Sequence, residues 1–353
     1  MAVGQVALAA VVAFLVPFAI ALGLSEAARR LSPKLGFLDR PGGHKAHESA
    51  VPLGGGVAIF IGFALPVAVA LLVARPANLA ARSDPLWLVL AAGLLLMVLG
   101  LLDDVRSLSV ACRLVVQAGV AAGLYLASPE LRITLFTGWR FLSFLYTVLW
   151  VMAITNAFNF LDNMDGLCAG VALVAGLNLA VVGFQTGQPE MALLALALSG
   201  AAGGFLVLNF PPARLYMGDA GSLFLGFCLS VVTVLFTFYR CDAVPSGRLY
   251  GVLMPLFILA LPVFDTVTVV AIRLREGRPV WKGDRNHFSH RLVALGMSKR
   301  EAVLFIYLLT FCLGLASTLL VSLEAAGAVT VFVIAVIIFI LIGLLERAGR
   351  RKG

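Results

Sequence analysis

The sequence predicts an all-α fold, a polytopic transmembrane helical bundle of about eleven spans with its amino terminus outside and its carboxyl terminus inside. Three observations carry that expectation. The 353 residues are 61% hydrophobic and only 12% charged, with a mean hydropathy of +1.03, far less charge than a water-covered surface carries. Interruptions rich in charge, Pro or Gly divide the chain into apolar runs of membrane-spanning length, at about 1.5 Å of rise per helical residue. Lys and Arg collect at alternate ends of those runs, as membrane insertion requires.

In chain order the runs are 3–24, 51–74, 86–102, 108–127, 141–160, 167–184, 191–208, 220–239, 251–272, 301–321 and 326–345. The first lacks a basic start and a cleavage site, and reads as a retained helix rather than a signal peptide. The polar connections are mostly short and the runs do not alternate in polarity, which favours helices over a membrane β-barrel. With the amino terminus outside, all of the 26 Lys and Arg residues fall inside except Arg75, Arg82, Arg132, Arg140, Arg240 and Arg248. The chain then reads as one integral membrane domain over 1–353, with inside loops at 25–50 and 274–300. Cys112, Cys168, Cys228, Cys241 and Cys312 are dispersed, without the paired spacing of a zinc or redox site. The net charge of +8 follows from the inside bias, so no nucleic-acid partner is expected, though the same charge can attract anionic lipids and nucleotides.

Polar groups gather at the inside ends of the runs. Asp103 and Asp104 close the third, and their mutual repulsion calls for a cation, water or basic partners such as Arg106. Asn156, Asn159, Asp162 and Asp165 recur every three residues, so a helix puts them on one stripe that must face protein or water rather than lipid. Asn163 lies on a different bearing, and Gly166 can end the turn. Asp219, in GDAGS, is a helix cap or a Mg²⁺ ligand; Gly218 and Gly221 relieve crowding around the carboxylate, and Ser222 with the amides of a helix start can bind phosphate. The segment is not a P-loop, since GxxxxGK[ST] is absent. Asp265 lies near the inside end of the ninth run. The late loop WKGDRNHFSHRL carries Asp284, Arg285, His287, His290 and Arg291, suited to phosphate; without a third close His or Cys it is a poor site for a soft metal. The early loop DRPGGHKAHESAVPLGGG offers Arg40, His44, Lys45 and His47 as a second anion-facing segment.

The motifs GHKAHESAVPLGG, LGLLDDVRSL, NAFNFLDNMDGLCAG, NFPPARLYMGDAGSLFLG, PVFD and DRNHFSHRL together resemble the polyprenyl-phosphate N-acetylhexosamine-1-phosphate transferase superfamily. The resemblance covers nearly the whole chain, 39–304 most clearly. It looks closest to enzymes that load N-acetylglucosamine-1-phosphate onto undecaprenyl phosphate, with the phospho-MurNAc-pentapeptide transferases as the main alternative.

That resemblance implies a Mg²⁺-dependent enzyme, Mn²⁺ being a substitute, that works at the cytoplasmic face of a bacterial inner or plasma membrane. A polyprenyl phosphate attacks the β-phosphate of a UDP-N-acetylhexosamine, UMP leaves, and a lipid-diphosphate-sugar for cell-envelope glycan synthesis forms. It further implies Asp219 as metal ligand, Asp103 and Asp104 as the catalytic pair with Asp103 taking the acceptor proton, Asn159, Asp162 and Asp165 on the nucleotide side, and His287 and His290 on phosphate. Ser289 interrupts the longer histidine cluster of the family. Direct attack is favoured over an aspartyl-phosphate route because the acceptor brings its own nucleophilic oxygen. Membrane lipids are expected partners and a homodimer is compatible with the reading. A polytopic transporter is the alternative of a different class.

Overall fold

The computed structural model describes residues 3–39, 50–73, 83–134, 139–240 and 248–350. Arg40, His44, Lys45 and His47 lie outside the described residues. Helix α1 (Val3–Leu31) runs past the expected boundary, because Glu26 pairs with Arg29 at 2.7 Å and Arg30 at 2.6 Å along its last turns. The expected loop at 25–50 therefore begins as helix. A short antiparallel hairpin, β1 (Leu38–Asp39) with β2 (Val51–Pro52), follows. Then come α2 (Gly55–Val73), α3 (Ser83–Arg106), α4 (Val110–Ala127) and α5 (Arg140–Leu161). Next are α6 (Leu167–Gln185), α7 (Pro189–Asn209) and α8 (Gly218–Arg240). The chain ends with α9 (Arg248–Ile258), α10 (Ala260–Arg275), α11 (Phe288–Ala294), α12 (Lys299–Leu319) and α13 (Ala325–Arg350).

Ten of these helices are long and apolar enough to cross a membrane, and α9 with α10 makes an eleventh if the pair is one span. The chain is a multi-pass membrane protein. The straight run expected at 251–272 is instead bent by 75° between α9 and α10. Pro262 supplies the reason: it has no amide to donate to the Ile258 carbonyl, and its ring crowds that carbonyl, so the helix breaks between the two. The expected 274–300 loop also contains structure of its own, the two-turn α11.

Helix α8 is the axis of the bundle, with nearly every residue from Gly218 to Phe236 buried. It packs on α3 and α5, while α6 and α7 pair with each other and α1 lies along α7. A helix that is apolar all round belongs inside such a bundle, whereas α1 and α13 leave most of their length facing outward. The α1–α7 contact depends on Gly200 and Gly204, spaced as small-xxx-small: a Cβ at either would collide with a carbonyl oxygen of α1, Phe14 for the first and Phe18 for the second. Lipid offers no hydrophobic drive between helices, so this close backbone approach is what gives the pair its dispersion energy.

Backbone hydrogen bonds carry the packing to the polar end. The Tyr216 amide donates to Pro52 O (2.9 Å), and the Gly55 and Gly56 amides donate to Tyr216 O (3.0 Å) and Met217 O (3.1 Å). The start of α2 is thereby stitched to the start of α8.

Gly204→Ala should lower the thermal unfolding midpoint of the purified protein by an amount corresponding to about 1–3 kcal/mol. Gly203→Ala, whose new methyl would sit 3.4 Å from the nearest ring carbon of Phe18, should leave the midpoint close to that of the parent. Equal effects of the two substitutions would contradict the close α1–α7 approach.

Candidate active site

Two helix ends, those of α3 and α5, and two helix starts, those of α4 and α8, meet at the polar face. Asp103 and Asp104 lie in the last turn of α3, and Ser107, with φ 48°, turns the chain out of it. That left-handed conformation is costly for a residue with a side chain. Asp103 holds the turn: its Oδ1 accepts the Leu108 amide at 2.5 Å and its Oδ2 accepts Arg113 Nη1, from α4, at 2.5 Å. The same Nη1 reaches Asp219 Oδ2 at 3.1 Å. One guanidinium thus bridges two carboxylates that are far apart in the chain.

Asp104 does a different job. Its Oδ1 accepts the Asp219 amide at 2.8 Å and its Oδ2 the Ala220 amide at 3.3 Å, capping α8 from another helix. A carboxylate there satisfies orphan amides and faces the positive end of the helix dipole. The sequence-level expectation that the GDAGS amides receive phosphate is corrected for these two, since Asp104 occupies them. The approach needs glycine twice. A Cβ on Gly218 (φ 66°) would strike the Asp104 carboxylate, and one on Gly100 would strike the Asp219 backbone. Asp219 itself is fixed on its other side by Asn159 Nδ2 at 2.6 Å, an amide that also lies 3.0 Å from Ser222 Oγ.

The three-residue repeat does not stay on one helix, because α5 ends at Leu161 and residues 162–166 form a turn. Asn156 remains inside α5 and bonds Gln117 Oε1 (2.5 Å) and Met152 O (2.8 Å), tying α5 to α4 rather than facing the carboxylates. Asp162 faces them: burial first, then the charges of Asp219, Asp104, Asp165 and Asp39, raise its proton affinity well above the ordinary carboxylate range. Asp165 Oδ2 accepts the Ala213 amide at 3.0 Å and lies beside Tyr216, whose hydroxyl burial and that carboxylate keep protonated. Asn163 Oδ1 accepts Ser289 Oγ at 2.5 Å, linking this turn to α11.

The late loop is built from buried pairs. Asp265 of α10 accepts the Phe288 amide on Oδ1 (2.6 Å) and lies 2.7 Å from His287 Nδ1 on Oδ2. Both residues of that contact are buried, and the imidazole stands edge-on to Phe160. His290 is 6.5 Å from His287, centroid to centroid; burial, helped by the charges of His287 and Arg285, lowers its pKa below the usual imidazole range, so near neutral pH it is an uncharged hydrogen-bonding group. Arg273, buried over the Phe160 ring, donates to Asp284 Oδ2 at 2.9 Å. Burial would raise Asp284, but the Arg273 and Asn286 bonds outweigh it and hold the carboxyl below its ordinary range. Arg285 is exposed, and Arg291 is buried with its Nη2 3.3 Å from Thr268 Oγ1.

Reading the sequence alone assigned Arg113 and Arg273 only to topology, overlooked Gln117 and Tyr216, and turned Ser222 toward phosphate rather than toward Asn159. Arg113 carried a signal: it opens an apolar helix and follows a carboxylate pair across a short turn, where an ion needs a partner.

Hard oxygen donors crowded around Asp162 and Asp219 are the chemistry that Mg²⁺ selects, and among the described residues no basic group pairs with Asp162 as Arg113 does with Asp103 and Asp219. Among the described residues no three acidic, His or Cys side chains already converge as metal ligands; the oxygens of Asp219 are engaged by Arg113 and Asn159.

Residues 86–237, which contain Asp103, Asp104, Asn159, Asp162 and Asp219, match the family model described as glycosyl transferase family 4. The chain is similar to a probable undecaprenyl-phosphate N-acetylglucosaminyl 1-phosphate transferase of Bacillus subtilis, 33% identical over 94% of this chain and 89% of that protein. The chain belongs to this transferase family. Other family members similar to it are an undecaprenyl-phosphate alpha-N-acetylglucosaminyl 1-phosphate transferase of Yersinia pestis and a decaprenyl-phosphate N-acetylglucosaminephosphotransferase of Mycolicibacterium smegmatis. The first is 30% identical over 82% of this chain and 79% of its own length. The second is 30% identical over 90% and 84%.

Gly100→Ala should push α3 off the start of α8, carry Asp104 away from its amides and cut transfer activity about 100-fold. Gly119→Ala, at a position with open space, is the matched control and should retain full activity. Normal turnover by the Gly100 variant would contradict the role given to the Asp104 cap.

Proposed function

We propose that the protein transfers N-acetylglucosamine-1-phosphate from UDP-GlcNAc to undecaprenyl phosphate, or to a related polyprenyl phosphate, releasing UMP. The observation that carries the reading is the near full-length match to transferases of that name, joined to a face where Asp103, Asp104, Asp162 and Asp219 converge from separate helix ends. A lipid phosphate oxygen attacks the β-phosphorus of the donor; a new P–O bond forms there and the bond to the bridging oxygen breaks, so the electron pair leaves with UMP.

Mg²⁺ fits this chemistry, with Asp219 and Asp162 as its holders, and it would offset repulsion between the two phosphate substrates. The chain's own groups orient the reactants. Arg113 supplies fixed positive charge beside Asp103 and Asp219, and neutral His290 with His287 supplies hydrogen-bonding groups at the neighbouring loop. Asp103 has both oxygens engaged by the Leu108 amide and Arg113, and Asp104 has both on backbone amides. These hydrogen bonds draw charge from both carboxylates and make them poorer nucleophiles, which favours direct attack over an aspartyl-phosphate route. The excess of Lys and Arg at the same ends of the spans supports a cytoplasmic reaction face in a bacterial inner membrane, where UDP-sugars are available.

Purified protein given undecaprenyl phosphate, Mg²⁺ and UDP-GlcNAc should yield one UMP for each lipid-diphosphate-GlcNAc, resolved by mass spectrometry. Exclusive use of UDP-MurNAc-pentapeptide would overturn the donor assignment, and solute movement across liposomes without a lipid product would favour transport. Chelation of Mg²⁺ should stop turnover, and Asp219→Asn should reduce it by about 100-fold or more at unchanged membrane yield. Undiminished turnover of that variant would remove Asp219 from the centre of the mechanism.

A further inference from the structure

Helix α13 faces outward along nearly all of its length, with Phe332, Ile334, Ile337, Ile340, Leu344 and Leu345 exposed. One narrow stripe turns inward. It comprises Ala328 and Ala335, both buried, then Phe339 and Ile342 packed on the core, and ends at Glu346, 8% exposed. The spacing alternates between seven, four and three residues, a single helical seam. Four members are apolar and the last is a carboxylate. An ionisable group on such a helix is costly unless a partner compensates it, and Arg291 is that partner: Glu346 Oε1 lies 3.3 Å from Arg291 Nε, with the two side chains 11% and 6% exposed.

Arg291 is in α11, the helix that begins directly after His287 and contains His290. Sequence reasoning turned Arg291 toward substrate phosphate. Its contacts run the other way, to Glu346, to Thr268 Oγ1 of α10 and to the Phe288 ring, 5.7 Å from the guanidinium carbon. Aromatic contacts follow the same path, since Phe339 of α13 stacks on Phe264 of α10 at 4.5 Å and Phe264 meets Phe288 edge-on at 5.6 Å. Helix α11 is therefore held at both ends. Asp265 grips its start through the Phe288 amide and His287, and Glu346 grips its last turn through Arg291.

We infer that Glu346 and Arg291 are positioning residues: the carboxy-terminal helix α13, through a buried ion pair, aims the His287–His290 segment at the donor phosphates. The inference deepens the sugar-phosphate transfer reading and rests on it for the catalytic consequence alone. A two-turn helix has too few internal hydrogen bonds to hold its own direction, so tethers at each end decide where its first turn points. At 3.3 Å the pair holds by charge rather than by an aligned hydrogen bond, and the burial of both side chains strengthens that attraction.

The test compares the parent with Glu346→Gln and Glu346→Asp in nanodiscs, by hydrogen exchange over residues 284–297 and by steady-state kinetics with varied UDP-GlcNAc. In Glu346→Gln, exchange over 284–297 should rise about tenfold while α3 and α8 stay as protected as in the parent. Its kcat/KM for the donor should fall about tenfold, mostly through KM, and Glu346→Asp should recover the greater part of both. Unchanged exchange over 284–297 would overturn the inference. So would a loss of protection spread across the whole bundle, which marks plain destabilisation, or a loosened segment with unaltered kcat/KM. A parent protein inactive on UDP-GlcNAc would instead remove the transfer reading, leaving the exchange comparison to decide whether Glu346 holds α11.

Discussion

Both oxygens of Asp104 accept amides from the first turn of α8, and through that contact the end of α3 is fastened to the start of the central helix. The rest of the polar face is built around it. Asp219 is the residue whose amide is gripped, so its side chain has one direction to take, between Asn159 of α5 and Arg113 of α4. Arg113 in turn needs Asp103, which folds the 107–109 turn by accepting the Leu108 amide and so brings α4 back alongside α3. Four helices are set against one another by hydrogen bonds to carboxylates at a site where lipid supplies none.

The same arrangement explains why charge can persist at the edge of an apolar bundle. Asp103 and Asp219 share one guanidinium, Asp104 faces a helix dipole, and Asp162 is left among carboxylates with its proton affinity raised. A face with that balance accepts a hard cation and repels bare phosphate unless a cation comes with it. Beside it, joined through the Asn163–Ser289 bond, the start of α11 carries imidazoles rather than carboxylates, held by Asp265. Opposite chemistries on two sides suit a reaction between two phosphates, one carried by a lipid that stays in the bilayer and one by a soluble nucleotide.

Much of this was legible in the sequence because the bilayer imposes a coarse rule. Apolar length alone located all the spans, and α2 to α8 begin and end within a few residues of the expected runs. The rule fails where local chemistry overrides length. Glu26 and its arginines extend α1, and Pro262 breaks the ninth run, which hydropathy cannot register since proline is tolerated in an apolar stretch. In the site, carboxylates announced themselves as costly groups in an apolar chain, so Asp103, Asp104, Asp162 and Asp219 were found. Direction was the missing quantity. Asn156 lies three residues from Asn159 yet bonds Gln117, and Arg291 sits in the phosphate-like loop yet pairs with Glu346 on another helix. Spacing assigns a residue to a stripe, but only the positions of neighbouring helices say what that stripe meets.

In the proposed reaction the carboxylate face moves a sugar together with its phosphate, rather than the sugar alone. A donor carrying radioactive phosphorus at the β-position, UDP-GlcNAc, tests this directly when incubated with the protein and undecaprenyl phosphate. The label should appear in the lipid product and the released nucleotide should be unlabelled UMP. Label retained in released UDP, with an unlabelled lipid-linked sugar, would contradict the account.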